Sequence, residues 1–214
     1  MIEVLKNSPL VVAALYAFVA AMTPGPNNLM LLSSGMTFGL RRTLPHMLGA
    51  AGGFLVLITA IAAGVGAAIA AVPAFRWLLL LGGSAFMAYL AFRIMTAPAD
   101  LKQRESKRPL NFYEAAAFQA INPKAWGFSL SYMALIVGVS DAGKITFWLG
   151  FSAVVISMGT TLCSTLTWVG LGRIMARLID SPQLVRVINV VLGLTLFLMI
   201  PLMFWSELND ILAG

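Results

Sequence analysis

The sequence predicts an all-α polytopic membrane protein. Six transmembrane helices form two inverted three-helix repeats, and the first helix of each repeat is broken at a proline motif. Three observations carry this. Hydrophobic residues make up 60% of the 214 positions and charged residues 10%, against about 45–50% and about 25% in soluble domains. Stretches free of Asp, Glu, Lys and Arg are long: 7–40, 43–75, 77–92, 125–140, 145–172 and 187–206. Two spans, in corresponding places of the two halves, carry a polar proline interruption.

A soluble domain could not cover its surface with so few charges, and the mean hydropathy of +0.91 agrees. Disorder and coiled coil need polar or charged sequence and are excluded. The apolar runs are continuous rather than alternating, which argues against a β-barrel. The net charge of +6 is not a nucleic-acid footprint, because the bases sit in short loops between apolar runs; no nucleic-acid partner is expected. Cys163 is the single cysteine, which forbids an intrachain disulfide and gives no zinc site; no metal or cofactor is expected. In its apolar run it reads as a small buried hydrophobe.

A helix needs about 20 apolar residues to cross the hydrocarbon core. Spans are therefore expected at about 9–38, 44–70, 74–95, 112–140, 144–170 and 184–206. Residues 1–22 resemble a signal peptide only superficially: Glu3 opposes Lys6, and the run continues past Pro26, so the segment is expected to be retained. Residues 1–98 form the first repeat, 99–111 a cytoplasmic linker and 112–214 the second repeat, all in one membrane domain. Small pairs inside the spans, Gly35/Gly39, Gly49/Gly53 and Gly82/Gly83, let helix backbones approach and predict a packed bundle.

Lysine and arginine orient the bundle. Arg41 and Arg42 follow span 1; Arg93, Lys102, Arg104, Lys107 and Arg108 follow span 3; Arg173, Arg177 and Arg186 lie between spans 5 and 6. Lys6, Arg76 and Lys144 fall on the other side. Ten against three puts both termini outside and the longest loop, about 96–111, in the cytoplasm.

Three spans per half make the halves cross in opposite senses, which is the arithmetic of an inverted repeat. Span 1 would be about 45 Å long as one straight helix, well over the roughly 30 Å core. It is interrupted by Thr23-Pro24-Gly25-Pro26-Asn27-Asn28. Both prolines lack amide protons and disfavour helix in the residue before them. Span 4 is interrupted by Asn122-Pro123-Lys124, where Asn122 suits an N-cap and Pro123 the first helical position. Matched interruptions point to a midplane binding site.

Lys124 is then the most informative charge. A lysine within a span marks a function by default, and beside a helix N-terminus it suits a substrate carboxylate; snorkelling to the headgroups is the bland alternative. Asn27, Asn28 and Asn122 can donate and accept hydrogen bonds, either to substrate or between helices. Carbonyls of the unwound stretch could receive an ammonium group. Tyr89, four residues before Arg93 on span 3, completes the candidate set. Glu114 reads as the acidic member of a capping box with Asn111. His46, the only histidine, reads as an interfacial residue at the start of span 2. Asp141 reads as structural beside Lys144.

The two interruptions, together with Phe118-Gln119 before the second, resemble the signature stretches of the lysine exporter superfamily, LysE/RhtB type. Residues 83–91 of span 3 are similar to that family's third-span pattern, with Phe86 where a tyrosine is commoner. The resemblance runs from about residue 9 to 206. It implies a bacterial inner-membrane exporter of amino acids or their derivatives, driven by the proton gradient, with both termini then periplasmic; the homoserine/threonine and cysteine-type exporters are nearest. Cadmium export is not expected from a chain with one cysteine and no membrane acid. The partners expected are a small amino acid, protons as coupling ion and the bilayer; a homodimer is left open. No pair of buried acids, Ser–His pair or metal cluster points to an enzyme. The competing class is a structural or assembly protein whose prolines only kink helices.

Overall fold

The computed structural model describes residues 9–64, 73–96, 108–138, 147–178 and 181–213. Among these it is all helical, with seven helices: α1 (Pro9–Met22), α2 (Pro26–Ala62), α3 (Pro73–Met95), α4 (Phe112–Ile121), α5 (Pro123–Gly138), α6 (Phe147–Leu178) and α7 (Pro182–Ala213). Among the described residues, three stretches are long and apolar enough to cross a membrane: Pro26–Ala62, Phe147–Leu178 and Pro182–Pro201. The expectations for Lys6, Lys102, Arg104, Lys107, Asp141, Lys144 and most of the linker lie outside the described residues, as does the side chain of Arg76.

Proline sets the helix starts. Pro9, Pro26, Pro73, Pro123 and Pro182 each open a helix, where a missing amide proton goes unnoticed and φ is already helical. The first break spans Thr23, Pro24 and Gly25; the second is Asn122 alone. Both fall in the expected places, but Ile121 and Pro123 are helical. As one rod α2 would be about 55 Å long. Gly39 divides it, with φ 72° and ψ 177° inside the helix, a conformation open essentially to glycine alone. The two pieces, 26–38 and 40–62, correspond to the end of span 1 and to span 2.

The helices approach at glycines. Gly35 of α2 lies against the backbone of Val169, and Gly172 of α6 against that of Leu32 and Met36, giving the most extensive helix–helix contact among the described residues. Gly49 and Gly53 lie against the α4 backbone at Phe112 and Ala116. Packing follows an exchange: α1 on α6, α4 on α2 and α3 on α7. One core joins α2, α3, α4 and α7 around Met87, Phe118 and Leu196; another joins α1, α2, α5 and α6 around Ile58, Tyr132 and Ala153. Arg93 and Arg108 share a cavity with Phe38, just before Arg41 and Arg42, and Gly172 touches Met36 just before Arg173. These bases therefore gather at one end of the bundle.

Two expectations are corrected. His46 is fully buried rather than interfacial, because the kink at Gly39 turns the second piece of α2 so that the ring meets Ser34. Cys163 is exposed rather than buried, since it falls on the outward face of α6, where the apolar surroundings of a membrane substitute for a core.

Candidate functional site

A broken helix leaves orphan carbonyls at the C-terminal end of its first piece and orphan amides at the N-terminal end of its second. At the first break the carbonyls are met by side chains. Thr23 Oγ1 donates to Ala20 O at 2.7 Å. Asn28 Nδ2 donates to Ala21 O at 2.8 Å and Thr23 O at 2.9 Å. Ser164 of α6 donates to Ala21 O at 2.6 Å. At the second break, Lys124 N donates to Asn122 Oδ1 at 3.2 Å, and Trp126 Nε1 to Ala120 O at 2.8 Å.

Lys124 joins the breaks. Its Nζ donates to Thr23 O at 2.6 Å and Thr23 Oγ1 at 2.9 Å, with Pro24 O at 3.4 Å. The electrostatics explain the reach. Lys124 is the second residue of α5, at the positive end of its own helix dipole, and the negative end of α1 lies opposite. A second link runs beside it: Gln119 Nε2 donates to Asn27 Oδ1 at 3.1 Å, and Asn122 Nδ2 to Gln119 Oε1 at 3.1 Å. Gly25 makes this fit, because a Cβ there would collide with the Lys124 side chain.

Around these groups lies a cavity of about 70 Å³, lined by Gly25, Asn27, Asn28, Asn122 and Lys124 among others. One water needs roughly 10–15 Å³ of such space, so the cavity suits a solute of a few heavy atoms. Phe54 and Phe128, 5.6 Å apart, supply an apolar wall. Phe128 continues into a stack with Tyr132 and Tyr16, and the Tyr132 hydroxyl is held by Ala153 O at 3.0 Å. Thr161, Ser164 and Thr165 of α6 add hydroxyls.

The chain has an identifiable kinship. The model of the LysE type translocator family matches residues 18–203. The chain belongs to that family. Curated relatives include the cysteine/O-acetylserine efflux proteins of Escherichia coli K12 and of Shigella flexneri serotype 5b, each 30% identical over 182 residues, covering 85% of this chain and 90% of the relative. No solved structure matches it.

Of the residues singled out in this LysE-family sequence, Gly25, Asn27, Asn28, Asn122 and Lys124 line one cavity, and Thr23 and Pro24 meet it through Lys124 Nζ. Pro26 and Pro123 shape the breaks as the first residues of α2 and α5. Tyr89 is elsewhere. It is 51% exposed and lines another cavity with Phe86, Arg93 and Glu114. Glu114 forms the capping box with Asn111 and pairs with Arg108 through both terminal guanidinium nitrogens; that carboxylate raises the pKa of the exposed Arg108. The sequence reading gave Gln119 no role, although it connects the breaks, and overlooked Phe128. Phe128 stands four residues after Lys124, so helical spacing was a usable signal. Ser164 and Thr165 carried none, because α6 bears many hydroxyl residues alike in sequence.

Proposed function

We propose that the protein exports small zwitterionic amino acids or their derivatives, held between the two broken helices and driven by proton antiport. The observation that carries this is the Lys124 ammonium lying across the break on Thr23 O and Thr23 Oγ1. A zwitterion can replace both halves of that contact. Its carboxylate receives Lys124 beside the α5 N-terminus, and its ammonium group takes over the vacated carbonyls. Membership of the LysE type translocator family and relatives named for cysteine and O-acetylserine efflux support this class of substrate.

The proposed architecture is six spans in two inverted repeats, residues 1–98 and 112–214, in the bacterial inner membrane with both termini periplasmic. The exchanged packing, α1 on the second half and α4 on the first, and the gathering of bases at one end support it. Counterflow in proteoliposomes with a panel of labelled amino acids tests the function. Exchange of cysteine or O-acetylserine above that of protein-free vesicles is expected. No exchange of any amino acid would return the chain to the structural or assembly class.

A further inference from the structure

Seven residues beyond Asn27, on the same face of α2, stands Ser34. Its hydroxyl lies 3.2 Å from Nδ1 of His46. Both residues line a second cavity, of about 340 Å³, which shares no lining residue with the cavity at the breaks. That volume is at the lower end of small-molecule sites. Arg93 and Arg108 also line it. Arg108 is engaged by Glu114 at 2.6 and 2.7 Å. Arg93 forms no ion pair or hydrogen bond with a carboxylate among the described residues, Glu114 acting on it only through space; its guanidinium carbon sits 5.8 Å from the centroid of the Tyr89 ring.

Two further atoms of the lining residues are unsatisfied. Thr37 Oγ1 and His46 Nε2 are buried with no hydrogen-bond partner. Buried polar atoms are normally paired, and each exception calls for an explanation such as a bound molecule. The tautomer that donates from Nδ1 to Ser34 leaves Nε2 as an acceptor. A guanidinium with no direct ion pair, a hydroxyl and a ring nitrogen around one small cavity complement a carboxylate with an ammonium group beside it.

We propose that this cavity is a second amino-acid site, which a solute occupies on the arginine-bearing side before passing along α2 to the breaks. Arg93 receives the carboxylate, and Thr37 with His46 receives the ammonium group. The inference rests on the exporter reading above but concerns a different set of residues.

Equilibrium binding of labelled O-acetyl-L-serine to the full chain, in nanodiscs of neutral lipid, tests it. Wild type should take up two equivalents, Lys124→Ala one, and Lys124→Ala/Arg93→Gln none. In oriented vesicles, Arg93→Gln should raise the half-saturating concentration about tenfold on the arginine-bearing side only, the weight of one charge-assisted hydrogen bond. Thr37→Val, nearly isosteric and so a small risk to folding, should act on the same side. One equivalent in wild type, one retained in the double variant, or equal shifts on both sides would overturn the proposal. If Arg93 only anchors anionic headgroups, its substitution will change binding with anionic lipid and not in neutral lipid, which also overturns it. Failure of the exporter reading looks different: two equivalents bound, with no counterflow.

Discussion

Gly25→Ala separates the fold from the contact between the breaks. Gly25 has φ −170° and ψ 173°, extended backbone that alanine adopts without strain. The three atoms nearest an added Cβ all belong to the Lys124 side chain: it collides with Cδ and would stand 3.0 Å from Nζ and 3.2 Å from Cε. A flexible side chain yields where backbone could not. The helices should therefore stay where they are while the ammonium leaves Thr23 O and Thr23 Oγ1. Each charge-assisted hydrogen bond contributes about 1.5–3 kcal/mol. Thr23 is exposed, so water recovers part of this, and a net effect near that of one bond is expected. That corresponds to roughly 10- to 150-fold in transport. The melting temperature should stay within about 2 °C of wild type, because alanine also restricts the unfolded chain. Initial rates of amino-acid counterflow and thermal unfolding, measured on the same preparation, check this. Transport within a factor of two of wild type would refute the reasoning. So would a loss of transport matched by a large loss of thermal stability.

Other outcomes follow from the same geometry. Lys124→Ala should abolish transport and lose most of the wild-type preference for an amino acid over its methyl ester, and Lys124→Arg should keep the charge yet transport poorly because the guanidinium is planar and larger; competition assays with the two ligands measure both. Gly172→Ala would put a Cβ 2.8 Å from Met36 N and 3.0 Å from the Leu32 carbonyl carbon, so thermal unfolding should show a destabilisation of about 1–3 kcal/mol, whatever the substrate. Asn111→Ala removes the side chain that accepts from Glu114 N at 2.9 Å, and should lower stability by about 1 kcal/mol with near-normal transport. A C-terminal fluorescent-protein fusion should be dark and a C-terminal phosphatase fusion active; the opposite pair of results would invert the proposed topology.

Much of this fold was legible because its punctuation is local. Proline cannot donate an amide proton, so the prolines that open α2 and α5 announced the two breaks within a residue or two. The capping box at Asn111 and Glu114 was likewise a matter of spacing three. What the sequence concealed is set by contacts far apart in the chain. Lys124 invited a choice between substrate and headgroup; its ammonium in fact meets the carbonyls of Thr23 and Pro24, about a hundred residues away. Nothing around position 46 signals that Gly39 will take a conformation unlike its helical neighbours and bury His46 against Ser34. Tyr89 and Lys124 both sit in or near apolar spans, and no periodicity says that the bundle separates them.

On the proposed reading, the resting contact itself selects for a zwitterion. Lys124 already supplies an ammonium group to the carbonyl end of α1. An amine without a carboxylate would have to share those carbonyls with a like charge. Two unit charges about 4 Å apart repel by about 4 kcal/mol at an effective dielectric constant of 20. A carboxylate without an amine could draw Lys124 away, but it would leave Thr23 O and Pro24 O with fewer partners in a cavity of about 70 Å³. A zwitterion meets both demands, exchanging one ammonium–carbonyl contact for another and adding an ion pair. The Lys124 link between the breaks is then released only when both ends of the ligand are present, leaving the Gln119–Asn27 hydrogen bond as the remaining link. Because Lys124 is rooted in one half of the chain and Thr23 in the other, the groups that recognise the ligand are also those that hold the halves together. Recognition and opening thus share the hydrogen bonds of Lys124, and this is why a substitution at Gly25, which displaces that side chain, is expected to act on transport.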